Sequence, residues 1–109
     1  METEMTGQTL NVVAPSVAQT TMTKPPSMFD VVFFDDNKTY FEFVVLVLMQ
    51  LFNKDLITAQ EIATAISQRG RLTVATYTYE VAAAKRDETV ATARNNGHPL
   101  RVEIEEVEQ

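Results

Sequence analysis

The residues best able to do chemistry lie in one short stretch, Asp35-Asp36-Asn37, set between Phe33-Phe34 and Thr39-Tyr40-Phe41. Two carboxylates and a carboxamide in a row offer acceptors to a cation, and an ammonium group, with three N–H donors and no acceptor, suits them well. Aromatic residues on both sides add apolar surface within one to four positions. A ligand matching both halves has a positive end and an apolar body. Turn formation explains the same residues in a second way, because Asp and Asn bond their own backbone in tight turns and Thr caps helices. The two readings differ in what else the fold brings to the turn.

Other chemistries fall away on composition. The 109-residue chain has no cysteine and one histidine, His98, so thiol nucleophiles, disulfides and the usual thiolate or multi-histidine zinc sites are excluded. Asp35 and Asp36 alone supply too few oxygens for a closed calcium or magnesium cage. No nucleophile–base pair accompanies them, and three glycines do not make a phosphate-cradling loop. No metal, cofactor or enzymatic activity is expected. Nine Lys and Arg against fifteen Asp and Glu leave a net charge of −6, unsuited to a nucleic-acid backbone. The longest apolar run, Phe43 to Met49, falls short of the ~20 residues that span a bilayer. The N-terminal METEMTGQTL is acidic and polar, unlike a secretory leader, which points to a cytoplasmic protein with no membrane partner.

The elements that must position the acidic turn follow from pattern. Residues 1–23 are polar and aperiodic and are expected to form a flexible extension. Lys24-Pro25-Pro26-Ser27 then punctuates the start of a folded domain over residues 24–109. Met28 to Phe34 is β-branched and aromatic at successive positions, which predicts a strand covered on both faces. Thr39 and Glu42 form a capping box, so a helix should begin at Tyr40, with Phe41, Val44, Val45, Leu48, Leu51 and Phe52 as its core stripe. Phe43, Leu46, Val47 and Met49 make its other faces apolar as well.

Thr58 and Glu61 repeat the capping box ahead of a second helix that carries Ile62, Ala65 and Ile66, with Gly70 just beyond its end. Leu72 to Tyr77 suits a strand. Thr78 should cap a third helix packing through Val81, Ala84, Val90 and Ala93 and ending near Asn96-Gly97. Leu100, Val102 and Ile104 alternate with charged residues, the pattern of a half-exposed strand. The order β-α-α-β-α-β predicts a compact two-layer α+β domain, a three-stranded antiparallel sheet with three helices on one face.

With these motifs placed, the chain from about Lys24 to Ile104 resembles ClpS, the adaptor of the bacterial and plastid Clp protease. The likeness rests on KPPSMFDVVFFDD, on T-x-x-EFV-x-x-VL at residues 39–48, on T-x-EVA-x-x-K from Thr78 to Lys85, and on AR-x-N-x-HPL ending at Leu100. The resemblance implies a non-catalytic adaptor. Such a protein binds the free α-amino group and the bulky apolar first residue (Phe, Tyr, Trp or Leu) of N-degron proteins and peptides. It then hands them to a ClpA- or ClpC-type AAA+ chaperone ring. An α-amino group is mostly charged at neutral pH, and a helix N-terminus would repel it by its dipole, so carboxylates are needed to reverse the local sign.

Carried over residue by residue, the resemblance assigns the α-amino group to Asp35, Asp36, Asn37, Thr39 and Ser67. Asp35 stands where the family usually has Asn, Asn37 where it has a second Asp, and Ser67 where it has His. Serine is shorter and neutral, and matches the reach of histidine only through a water. The side-chain pocket falls to Phe41, Val44, Ala63, Ile66 and Leu100. Phe41 replaces a methionine that guards the pocket mouth against β-branched first residues, and Ala63 replaces a larger residue. Glu80 and Lys85 match the chaperone-docking positions, and the N-terminal extension corresponds to one that engages the chaperone during delivery. His98 is expected to serve a structural or terminal-pocket role, and the protein to be a monomer. A second reading keeps the docking surface and loses delivery, leaving a modulator that inhibits or redirects the chaperone.

Overall fold

The computed structural model describes residues 25–108, so the expected extension over residues 1–23 lies outside the described residues. Six elements follow in the order β1 (Met28–Phe34), α1 (Phe41–Phe52), α2 (Leu56–Arg69), β2 (Arg71–Thr78), α3 (Tyr79–Asn95) and β3 (Arg101–Glu106). The sheet is antiparallel with strand order β2-β1-β3, so the most apolar strand is central. Helix α3 packs on all three strands, α2 on β2, and α1 against α2 and α3. The expected two-layer α+β architecture is the one found.

The core lies between sheet and helices. Val31 and Phe33 from β1, Val74 from β2 and Val102 from β3 meet Val44, Val47 and Leu48 of α1, Ala59, Ala63 and Ile66 of α2, and Ala82 and Ala93 of α3. Burying each large side chain contributes about 1.5–3 kcal/mol. Phe33 and Phe52 meet edge to face with ring centroids 5.6 Å apart. The α1 stripe differs from the one expected: Phe43 and Val47 are buried, Leu51 is half-buried, and Phe41 stands 44% exposed. In α3, Val81 is exposed and the small Ala82 faces the sheet, so a narrow contact is made where a wider stripe was expected.

Strand β2 changes phase midway. Leu72 and Val74 turn inward, then Ala75 and Tyr77, because the register shifts at Val31/Val32 and two β2 residues oppose one of β1. The bulge turns both Thr73 and Thr76 outward, where their hydroxyls donate to the Asp30 carboxylate at 3.5 and 2.6 Å. On that outer face Val32 is fully buried although it lies outside the helix-side core. Its strand neighbours are Thr73 and Glu103, and the Arg71–Glu105 ion pair joins the two edge strands across β1. Arg71 and Arg101 also lie over the Phe34 ring, 5.0 and 4.2 Å from its centroid. The second cover of β1 is therefore made of charged side-chain stems rather than another structural layer.

The helix caps correct two expectations. The Asp55 side chain, not Thr58, caps α2, accepting from the Thr58 N–H at 2.7 Å. Helix α1 begins at Phe41, one residue late, and Tyr40 occupies its N-cap position without a side-chain cap bond. Thr39 is drawn away because its hydroxyl donates to Asp36. Thr78 does sit at the N-cap of α3, again without a side-chain bond. Gly70 ends α2 at φ 87°, a left-handed conformation that glycine adopts without steric cost.

Candidate functional site

The acidic turn is built by its own side chains. Asp36 Oδ1 accepts from the N–H groups of Lys38 and Thr39 at 2.8 and 2.7 Å, and Oδ2 accepts from the Thr39 hydroxyl at 2.8 Å. Burial alone would raise the Asp36 carboxyl. The Lys38 N–H, the Thr39 hydroxyl and N–H, and a smaller contribution from His98 outweigh it and hold the group below its ordinary 3.8. Asp36 is thus a carboxylate at neutral pH, already committed to the turn it shapes. Asp35 differs: its N–H donates to the Gly70 carbonyl at 2.8 Å, while its exposed carboxylate has no hydrogen-bond or ion-pair partner among the described residues.

The same Asp35–Gly70 bond ties the turn to the end of α2. Only three residues separate α1 from α2, so α2 folds back along α1 and delivers its C-terminal turn to the α1 N-terminus. Helical spacing then places Phe41 and Val44 on one wall, and Ala63, Ile66 and Ser67 on the facing one. Leu100, just ahead of β3, closes the bottom at 2% exposure. The result is a cavity of about 240 Å³ lined by Phe34, Asp35, Asp36, Asn37, Thr39, Phe41, Val44, Ala63, Ile66, Ser67 and Leu100. Every residue nominated from sequence for the α-amino group or the side-chain pocket lies on this one cavity, and Phe34 is the addition. Polar groups form the part contributed by the turn and Ser67, and apolar groups the rest.

His98 locks this end of the molecule. Its ring lies 4.4 Å from that of Phe43 and 5.2 Å from that of Tyr40, its Nδ1 is buried without a partner, and its N–H donates to the Ala93 carbonyl at 2.9 Å. Of the structural or terminal-pocket role expected of it, these contacts describe the structural part. Arg94 holds the same loop by donating from Nη1 to the carbonyls of His98 and Leu100 at 2.9 and 3.0 Å.

The two positions nominated for docking lie elsewhere, on α3, and they differ from each other. Glu80 is exposed in the first turn. Lys85 is half-buried, and its ammonium donates to the Leu51 carbonyl at 2.6 Å while lying 5.8 Å from the Phe52 ring centroid. Helix α1 has no basic residue in its own last turn, so Lys85 supplies from α3 the positive charge its C-terminus favours. Sequence reasoning missed this role; the available signal was an apolar α1 ending in Leu51-Phe52 with no cation of its own. Among the described residues there is no cluster of three metal-ligating side chains, and no helix is long and apolar enough to cross a membrane.

Comparison with known proteins places the chain in a family. The family profile described as ATP-dependent Clp protease adaptor protein ClpS matches residues 24–103. The ATP-dependent Clp protease adapter protein ClpS of Paraburkholderia phymatum is 42% identical over 83 residues, covering 76% of this chain and 80% of its own. That of Paraburkholderia xenovorans is 41% identical over the same span. Among solved structures, Agrobacterium tumefaciens ClpS2 bound to L-phenylalaninamide has the same fold, with a TM-score of 0.74 at 24% identity, covering 76% of this chain and all of its own. The profile match over residues 24–103, with relatives above 40% identity, shows that the chain belongs to the ClpS family of Clp protease adaptors.

Proposed function

We propose that this protein binds N-degron proteins and peptides by their free α-amino group and bulky apolar first residue, and delivers them to a ClpA- or ClpC-type AAA+ chaperone without catalysing a reaction. The observation that carries the reading is the convergence of an acidic rim and an apolar floor on one cavity of about 240 Å³. The unpartnered Asp35 carboxylate receives the ammonium group, with Asn37 and the Ser67 hydroxyl as neighbouring acceptors. Asp36, bonded three times within the turn, holds the rim in place and adds its charge. The first side chain (Phe, Tyr, Trp or Leu) enters between Phe41, Val44, Ala63 and Ile66, above Leu100. The phenylalaninamide bound to the Agrobacterium relative combines the two features this cavity presents for, a free amine and an aromatic side chain.

Two departures from the family's usual residues shape the site. Asp35 in place of Asn, with Asn37 in place of Asp, keeps two carboxylates on the rim and moves one to the start of the turn, where it offsets the shorter reach of Ser67 toward the ammonium group. Ala63 opens space opposite Phe41. Glu80 at the exposed start of α3 is the docking contact we assign to the chaperone, with Lys85 supporting that surface from beneath.

Fluorescence anisotropy of labelled peptides beginning with Phe, Tyr, Trp, Leu, Ile or Ala, each free and Nα-acetylated, tests the reading. Tight binding of free bulky termini that acetylation abolishes is the expected result. Equal binding of free and acetylated forms overturns it and leaves a chaperone-docking modulator that does not deliver N-degrons.

A further inference from the structure

A second groove adjoins the first. It has a volume of about 400 Å³ and is lined by Lys38, Arg94, Gly97, His98 and Pro99. No carboxylate lines it, in a protein whose net charge is −6. Neither Lys38 nor Arg94 has a carboxylate partner among the described residues, whereas Arg71, Arg86 and Arg101 are each paired with one. Arg94 is also held in place, since its Nη1 is fixed on the carbonyls of His98 and Leu100, and its remaining N–H groups stay available.

Both cavities are made from the same two loops. Lys38 lies between Asn37 and Thr39, which line the first cavity, and Pro99 precedes Leu100, which lines it too. Consecutive Cα atoms are about 3.8 Å apart, so the two sites are neighbours across a single turn of chain. A peptide anchored by its first residue advances about 3.3–3.6 Å per residue when extended, which carries its third and fourth residues roughly 7–11 Å from the anchor.

We propose that this groove is a subsite for acidic side chains at the third and fourth positions of the bound peptide, with Lys38 as the specificity-determining residue and Arg94 as the second cation. The inference rests on the function proposed above. It adds a preference downstream of the first residue, set by a lysine next to the residues that hold the α-amino group. The opposite charges of the two sites orient the peptide, its ammonium end toward Asp35 and its carboxylates toward Lys38.

The test compares two free-terminus peptides, Phe-Ala-Glu-Glu and Phe-Ala-Gln-Gln on a common neutral tail, by anisotropy on the intact protein at about 20 and 150 mM salt. The Glu peptide binds tighter by about 5-fold at low salt, and the gap narrows at the higher salt as screening sets in. Lys38→Gln removes most of the gap and Lys38→Glu reverses it, while the affinity for the Gln peptide reports that fold and first cavity are intact. Equal affinities for the two peptides at both salts overturn this inference alone, as does a Glu preference that survives Lys38→Gln. Failure of the wild-type protein to bind either free-terminus peptide overturns the underlying peptide-binding reading, and this inference with it.

Discussion

Helices α1 and α2 both start behind a turn made of Asp, Asn and Lys. Ahead of α1 the residues are Asp35-Asp36-Asn37-Lys38; ahead of α2 they are Asn53-Lys54-Asp55. In each, an aspartate accepts from the N–H three residues on, Asp36 from Thr39 and Asp55 from Thr58, both at 2.7 Å. Both carboxyls are held below their ordinary value: Asp36 by bonds that overcome its burial, Asp55 chiefly by the N–H of Thr58. Locally the two share this bond, although Asp55 is itself the N-cap of α2 and Asp36 lies four residues before Tyr40, the N-cap of α1. They differ in what the rest of the chain brings to them. The first turn is met by α2, by Gly70 and by the Leu100 segment, whereas the hollow beside the second is lined only by the consecutive residues Asp55, Leu56, Ile57 and Thr58. An acidic turn becomes part of a cavity when distant apolar residues close on it.

Removing each aspartate in turn should separate the two turns most strongly. Asp36→Ala takes away the acceptor of three hydrogen bonds and a rim charge, and should weaken free-terminus Phe peptides by about 10- to 100-fold, in line with the loss of one or two charged hydrogen bonds. Asp55→Ala should lower the urea midpoint without moving peptide affinity. Equal effects of the two substitutions on binding would erase the distinction between the turns.

The far ends of the same helices differ as well. Helix α2 carries its own cation, Arg69, whereas α1 borrows Lys85 from α3. Lys85→Met keeps the apolar stem and loses the bond to Leu51, so stability should fall by about 1 kcal/mol in urea unfolding, while exposed Arg69→Met changes it by less than about 0.5 kcal/mol.

A smaller effect is expected at Phe41. Because it is 44% exposed at the cavity mouth, Phe41→Ala should leave the urea midpoint nearly unchanged. It should also narrow the preference for Leu over Ile at the first position by a few-fold, read by the same anisotropy titration. Smallest is the acid response. The folded carboxyl of Asp36 lies below its ordinary 3.8, so its stabilisation is whole above that value and is lost as pH falls through the lower, folded one. Between about pH 5 and 3 the wild-type urea midpoint should therefore decline more steeply than that of Asp36→Asn.

Much of the fold was legible because it rests on patterns a few residues long. Strand and helix order, the left-handed ending at Gly70 and the charged alternation of β3 all follow from side-chain period and backbone sterics. The two cap misreadings share one cause, competition between partners that are equally close in sequence. Thr39 could cap α1 or bond Asp36, and it bonds Asp36; Thr58 could cap α2, but Asp55 stands one turn earlier and takes its N–H. Phe41 belongs to the apolar stripe by spacing and to the cavity mouth by position, since the chain crossing there leaves it uncovered. The β2 bulge left only a faint sign, the break in alternation at Val74-Ala75.

The candidate site divides in the same way. By itself the sequence determined that two carboxylates, an amide and a threonine would share one tight turn next to apolar residues, because Asp and Asn bond the backbone within two or three positions. It also determined, through dispersed motifs in the right order, the family to which the chain belongs. The resemblance named Ala63, Ile66, Ser67 and Leu100, but only the tertiary structure decided how these residues, each more than twenty positions further along the chain, close on that turn. The same is true of the division of labour between a bonded Asp36 and an open Asp35, and of the salt-bridge cover on Val32. Such outcomes depend on which helix folds back on which, and that is settled by burying the whole core at once rather than by the preferences of any short segment.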